Sequence, residues 1–259
     1  MRIAITREVS PAIGRCELTH LARQPIDVAL ARAQHAGYEE CLHALGCAIR
    51  RLPAAPELPD SVFVEDCAIV LDEVAVIARP GAVSRRAETA AIEDALRPLR
   101  PIRRIDPPAT LDGGDVLQVG RTLLVGLSSR TNAEAIGQLR ALVEPFSYSV
   151  VAIEVRGCLH LKSAVTEVAP GTLLVNPDWI PADALRAFER LDVDPREPFG
   201  ANVLRLGDAL VYSSAFPRTR ERLEARGLAV HVVDLSELAK AEGAVTCCSL
   251  IAEPPHARE

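Results

Sequence analysis

Five polar residues recur along this chain at a near-constant interval. Asp66, Asp112, His160, Asn202 and Cys247 are separated in turn by 46, 48, 42 and 45 positions. Around each lies the same order of patterns: the polar residue, two short apolar runs that read as a hairpin, a loop, then mostly a helical stretch. A period of this size marks tandem copies of one supersecondary unit. No copy can bury its apolar face alone, so the copies must pack on one another. The last copy, 249–252, lacks a second strand. The alternating run Arg2–Arg7 can supply it, closing the array into a ring without free strand edges. In a closed ring the five polar residues face one central pocket. The period alone fits an open array with no convergent site equally well.

Periodicity and caps predict the remaining elements. Residues 10–24, with Pro11 and Gly14, read as loop, and 26–45 as a helix ended by Gly46. Cys47–Leu52 and 102–105 read as short strands. Ser84 is expected to cap a helix over 85–96. Further helices are expected over 132–143, 182–191 and 219–226, and further strands over 149–155 and 229–233. The hairpin arms are expected at 67–71 with 74–78, 116–119 with 123–126, 161–168 with 173–175, and 203–206 with 210–212.

Composition excludes several functions. Aromatic residues are 3% of the chain and the net charge is -6. Such a chain offers neither base-stacking platforms nor a basic field for nucleic acid or anionic membrane. No apolar run reaches membrane-spanning length. The seven cysteines are an odd number with no secretory segment ahead of them, so free thiols and a cytoplasmic location are expected. No C-x-x-C pair suggests a structural zinc site.

A thiol attacks well only as thiolate, so a nucleophilic Cys247 needs a base or a cation nearby. His160 is the one suitable base, and carboxylates stand at Glu65, Asp66 and Asp112. Each has a bland alternative. Cys247 can be a small buried hydrophobe, His160 a hydrogen-bonded core histidine, Asp112 a turn residue before Gly113-Gly114, and Arg85 and Arg130 solvated surface. Asn202 reads as structural. Cys16, Cys41, Cys47, Cys67 and Cys158 read as packing residues, and His20 and His256 as non-ligands.

Taken together, Phe63-Val64-Glu65-Asp66, Arg79-Pro80-Gly81 with Arg85, Leu111-Asp112-Gly113-Gly114-Asp115, Ser129-Arg130-Thr131-Asn132, Leu159-His160-Leu161-Lys162 and Thr246-Cys247-Cys248-Ser249 resemble the dimethylarginine dimethylaminohydrolases. These belong to the guanidine-modifying superfamily. The resemblance spans nearly the whole chain, so residues 1–259 are expected to form a single domain. It implies a five-bladed α/β propeller (pentein) with pseudo-fivefold repeats around a central pocket. It also implies Cys247 as nucleophile, His160 as general acid/base, and Asp66 and Asp112 as carboxylates holding a guanidinium. Glu65 would line the same pocket. Arg85 and Arg130 would bind a substrate α-carboxylate, and Leu18, Asp60 and the backbone near Ala241 an α-amino group. The implied partner is a small guanidino amino acid. No cofactor or resident metal is implied, though zinc at Cys247 would inhibit, and a homodimer is left open.

The chemistry fits those residue types. A guanidinium enters positive and is deactivated by resonance, so its site needs carboxylates that accept its N–H groups rather than an oxyanion hole. The expected reaction turns Nω-methylated L-arginine into L-citrulline and an amine through a covalent thiouronium on Cys247. Three alternatives use the same residues: a deiminase of arginine or agmatine, an amidinotransferase, and a non-catalytic protein that binds arginine-like ligands.

Overall fold

The structure, a computed structural model, describes residues 1–181 and 183–253. Expectations that fall on Ala182 and on the tail 254–259, His256 included, lie outside the described residues.

The chain opens with strand β1 (Arg2–Arg7), helix α1 (Val28–Ala44) and β2 (Cys47–Leu52). The next unit holds β3 (Ala68–Val70), β4 (Ala75–Ile77), α2 (Thr89–Leu96) and β5 (Ile102–Arg104). Then come β6 (Val116–Val119), β7 (Thr122–Leu127), α3 (Ala133–Val143) and β8 (Ser149–Glu154). A one-turn helix α4 (Leu161–Ala164) leads into β9 (Val165–Ala169), β10 (Thr172–Val175) and β11 (Glu189–Asp192). The chain ends with β12 (Leu204–Leu206), β13 (Ala209–Ser213), α5 (Pro217–Glu224), β14 (Ala229–Val233), α6 (Ser236–Ala239) and β15 (Leu250–Ala252).

These strands form five three-stranded sheets. Each sheet has an antiparallel pair and a third strand added in parallel. The fifth takes its strands from both ends of the chain: β15 runs antiparallel to β1, and β1 parallel to β2. The N-terminal strand thus completes the last unit, as the period allowed.

Ring closure is visible in the cores. Successive side chains of a strand point to opposite faces of its sheet. Leu123 and Val125 of β7 pack toward the sheet of β3–β5, while Leu124 packs toward that of β9–β11. Leu173 and Leu174 of β10 divide the same way. Ala4 joins the core shared with β12–β14, and Ile5 the core shared with β3–β5. Five apolar clusters therefore sit between five neighbouring pairs of sheets, with none left over. The fold is a five-bladed α/β propeller. Its cores are filled by Ala, Val, Leu and Ile, as the low aromatic content requires.

Two helices begin one or two residues later than expected, each at a side-chain cap. Asp27 accepts from Ala29 and Leu30 N–H at 2.9 and 3.0 Å, and Asn132 accepts from Ala135 N–H at 3.0 Å. Three expectations need correction, and one element is new. Ser84 caps nothing: its hydroxyl donates to Glu17 at 2.6 Å, residues Val83–Glu88 form a 3-10 turn, and the α-helix begins at Thr89. Residues 183–188 are turns and Glu189–Asp192 is a strand, not the second half of a helix. Parallel pairing with β10 there outweighs a weak helical preference. Residues 161–164 are helical, so the hairpin after His160 begins only at Val165. Finally, α6 has four residues, too few for a period to show.

Candidate active site

Each polar repeat residue sits just ahead of the first strand of its sheet, at the mouth of the ring. Close backbone approach keeps the mouth tight. A Cβ on Gly113 would lie 2.0 Å from the Glu65 carbonyl oxygen. One on Gly114 would lie 2.6 Å from His160 Nδ1 and 2.8 Å from an Asp66 carboxylate oxygen. Only glycine lets the Asp112 turn press against its neighbours here.

A small cavity opens at this mouth. Asp60, Asp66, Arg85, Arg130, His160, Ala241 and Cys247 line it, together with Glu17, Phe63, Leu159 and Glu242. Seven of the ten expected site residues therefore share one wall. Leu18, Glu65 and Asp112 are not on it. Leu18 is half-buried against the core of the first and last blades, and its neighbour Glu17 lines the cavity instead. Glu65 turns away: its carboxylate accepts from Thr246 Oγ1 at 2.7 Å and Lys162 Nζ at 2.5 Å. Its backbone N–H donates to the Cys247 carbonyl at 3.2 Å, so Glu65 braces the nucleophile segment. Asp112 lies one layer deeper, fully buried, with Oδ2 at 3.0 Å from His160 Nε2. Gly81 N–H donates to its other oxygen at 2.8 Å. Asn202 is structural, as expected: its amide bonds the Lys162 carbonyl and Thr246.

Of the two carboxylates expected to hold a guanidinium, Asp66 is the one on the cavity wall. It accepts from Arg85 Nη1 at 2.6 Å and Gly114 N–H at 3.0 Å, and lies 3.8 Å from His160 Nδ1. Burial works against its charge, but His160 and Arg85 outweigh that and hold its carboxyl down to about 2. Arg85 spends most of its donors on Asp66, Glu88 and the Phe63 carbonyl. Arg130 is less committed, with Thr19 Oγ1 at 3.2 Å and Asp112 at 3.9 Å. Asp60 is buried and accepts from Glu17 N–H; loss of solvation raises its pKa.

His160 is buried, which disfavours its charge. Asp66, Asp112 and Asp115 outweigh that and lift its pKa to about 9. Asp115 was overlooked as a site residue, although it stands in the motif around Asp112. It is fully buried and accepts from Ser128, Thr131 and the Leu161 N–H. Glu17 and Glu242 carry no signal, since they sit in segments without period or motif; Phe63 stands in the motif of Asp66, where an apolar side chain reads as core.

A histidine ordinarily titrates near 6.5. With its folded pKa raised, His160 stabilises the fold fully below about pH 6.5, and that contribution disappears as pH rises through about 9. The shift corresponds to about 3 kcal/mol, and the depressed Asp66 is the other half of the same attraction. Thermal melts from pH 6 to pH 9 are expected to show a falling Tm over this window. A His160→Asn variant with the same slope would contradict this.

Cys247 keeps part of its surface open to the cavity. Its thiol is nonetheless pushed well above the usual range, first by burial and then by Glu65 and Asp66. The unliganded site therefore holds a neutral thiol beside a charged imidazole. All seven cysteines are free. Asp66, Asp112 and His160 place donor atoms within 4.8 Å of one another, close enough to hold a metal ion; Cys247 is not in that group. A larger, mainly apolar cavity of about 330 Å³ adjoins the site across Gly243–Val245. It contains none of Cys247, His160 and Asp66, so it is not the reactive centre.

Five blades around a cavity with a cysteine, a histidine and a carboxylate define the guanidine-modifying class of α/β propeller. Residues 54–196 match the family model described as arginine deiminase. A dimethylarginine dimethylaminohydrolase of Streptomyces coelicolor is 43% identical over 250 residues, 95% of each chain. Among solved structures, a cysteine-to-serine mutant of the Pseudomonas aeruginosa enzyme complexed with citrulline superposes with a TM-score of 0.92, at 32% identity over 96% of this chain and 98% of that one. A histidine-to-glycine dimethylarginine dimethylaminohydrolase, an adduct with S-methyl-L-thiocitrulline, gives 0.91 at 32% identity, over 97% of this chain and 100% of that one. The chain belongs to the dimethylarginine dimethylaminohydrolase family.

Proposed function

We propose that this protein hydrolyses Nω-methylated L-arginine to L-citrulline and methylamine or dimethylamine. The observation that carries this reading is the joint placement of Cys247, His160 and Asp66 on one small cavity, with Asp112 bonded to His160. Asp66 is read as the acceptor for the guanidinium N–H groups, and Asp112 as the residue that orients the imidazole. Arg130 is read as the main contact for the α-carboxylate, with Arg85 lending its one spare Nη1 donor. Asp60 and the backbone at Ala241 are suited to the α-amino group.

The order of events follows from the charges. A neutral thiol surrounded by carboxylates resists ionisation. A substrate cation seated against Asp66 reverses that field, and the thiol releases its proton to solvent, since His160 already carries its own. Sγ then bonds to the guanidinium carbon. The bond from that carbon to the methylated nitrogen breaks, and its electron pair takes the proton from His160. The neutral amine departs and a thiouronium is left on Cys247. His160, now neutral, takes a proton from water. The water oxygen bonds to the same carbon, the carbon–sulfur bond breaks, and sulfur leaves with its electrons and takes the proton still on that oxygen. The ureido group of citrulline remains. Remote binding at Arg130 and Asp60 holds the carbon against sulfur.

No step uses a metal. We read zinc as a competitor for Cys247 and His160 rather than a cofactor. Exhaustive dialysis against a chelator should leave kcat unchanged or raised; activity lost to the chelator and restored by zinc would contradict this. The free thiols fit a reducing, cytoplasmic setting.

The match to the arginine deiminase model favours a second reading, deimination of unmethylated arginine with release of ammonia. Parallel assays of arginine, monomethylarginine and asymmetric dimethylarginine decide, with citrulline and the released amine both quantified. Higher kcat/KM for the methylated substrates is expected. Equal or better turnover of arginine would replace this reading with the second.

A further inference from the structure

A loop crosses the mouth of the cavity and is tied down on both sides. Glu17 N–H bonds Asp60, and Ser84 bonds the Glu17 carboxylate. On the far side the N–H groups of Thr19, His20 and Leu21 converge on one carboxylate, that of Glu242, at 3.1, 2.5 and 2.7 Å. Beyond these, Arg23 bonds the Gly14 and Cys16 carbonyls, Lys240 the Pro25 carbonyl and Arg130 Thr19 Oγ1, and Leu18 rests on the core. Residues 17–25 are exposed or half-buried and belong to no helix or strand. Such a segment opens at low cost unless specific bonds restrain it.

Glu242 stands in an unfavourable backbone position. Its φ is 59°, in the left-handed region. It follows α6, where Glu242 N–H bonds the Ala239 carbonyl and Gly243 N–H the Leu238 carbonyl. Helix ends of this form place glycine at the left-handed residue. A glutamate there is strained, and strain of this kind is retained where a side chain has work that glycine cannot do. Among the described residues Glu242 forms no ion pair, so its carboxylate serves the three amides alone. Three successive N–H groups turned on one anion make a nest, and bonds from such a nest to a charged acceptor are strong. Glu242 also lines the reactive cavity, next to Ala241 and five positions before Cys247.

We infer that Glu242 is the latch that holds residues 17–21 closed over the substrate, a positioning residue that couples this loop to the segment carrying the nucleophile. Closure excludes water from the cavity and keeps Thr19 against Arg130. Opening requires all three bonds to break together.

Two variants test this, Glu242→Gln and Glu242→Gly. The glutamine keeps the shape, loses the charge and offers the nest a single acceptor oxygen. The glycine relieves the backbone and removes the latch. Amide exchange of residues 19–21, measured without substrate, should quicken by about tenfold or more in both, the loss expected when charge-assisted bonds are removed. The Tm of Glu242→Gly should stay level or rise, because glycine suits the left-handed position. With methylated arginine, KM should rise by about tenfold, more than kcat changes. The kinetic readout rests on the proposed function; the exchange readout does not. Unchanged exchange at 19–21, or a Glu242→Gly protein that loses activity only in proportion to a fallen Tm, overturns the latch. Faster exchange in a protein inert toward every methylated arginine leaves the latch standing and refutes the activity.

Discussion

Cys247→Ser is expected to lower kcat by at least about 10⁴-fold while leaving the fold and the binding of methylated arginine intact. A serine hydroxyl ionises far less readily than a thiol, and a site already hostile to the thiolate gives it no help. The present field, burial plus Glu65 and Asp66, raises the thiol and would raise an alcohol further. The replacement should fold normally, because the segment is held by its backbone. Cys247 N–H bonds the Ala244 carbonyl at 3.2 Å, and its own carbonyl receives Glu65 N–H at 3.2 Å. Calorimetric titration of the variant should still detect the substrate. Turnover within tenfold of the parent would remove Cys247 from the chemistry. A parent protein that binds methylated arginine and releases no amine would instead be a binding protein.

The second large effect is expected at His160. One imidazole serves both halves of the reaction, giving a proton to the amine and taking one from water. Loss of a positioned acid or base typically costs 10²–10⁴-fold, and here both steps lose it, so His160→Asn should reduce kcat by about 10³-fold or more. Stability should suffer too. His160 lies 3.0 Å from Asp112 and 3.8 Å from Asp66, all three buried, and removing one partner strands charge in the interior. Such breaks cost about 3–5 kcal/mol. The two effects separate on the pH axis. Lost stability should be greatest below about pH 6.5, where His160 is fully charged, and smallest above about pH 9. Lost activity should be full at every pH below about 9 where both proteins are folded, because there the parent's His160 carries the proton it gives. Folded His160→Asn protein within tenfold of the parent's kcat at pH 7 would make His160 structural.

The repeat was legible from the spacing of five polar residues, each just ahead of a hairpin; that the repeats close into a propeller rested on the family resemblance, since the period fits an open array as well. The alternating run Arg2–Arg7 revealed the closing strand, because a lone unit with one strand must find another. What stayed hidden was decided by contacts between distant segments. Glu189–Asp192 becomes a strand only because β10 offers it an edge. Ser84 has the chemistry of a cap, yet Glu17 claims its hydroxyl.

The site divides in the same way. The period singled out Cys247, His160 and Asp66, but it singled out Asn202 equally, and only the family motifs around the first three gave them chemical roles. The depth of Asp112 was not legible, since a turn before two glycines looks alike on a wall or behind one. Asp115 and Asp112 are both fully buried and differ in their partners, His160 and Gly81 for Asp112 and Ser128, Thr131 and the Leu161 N–H for Asp115, which only packing decides. Glu242 lies outside every motif; its role is set by amides of the loop 17–21, over two hundred positions away.

The most direct test is mass spectrometry of the protein quenched in acid during turnover of asymmetric dimethylarginine. A fraction of the protein should gain the mass of arginine less ammonia, and peptide mapping should locate that gain on Cys247, with dimethylamine and citrulline released in equal amounts. Steady release of both products with the added mass on another residue, or undiminished release from Cys247→Ser, would contradict a covalent thiouronium at this sulfur.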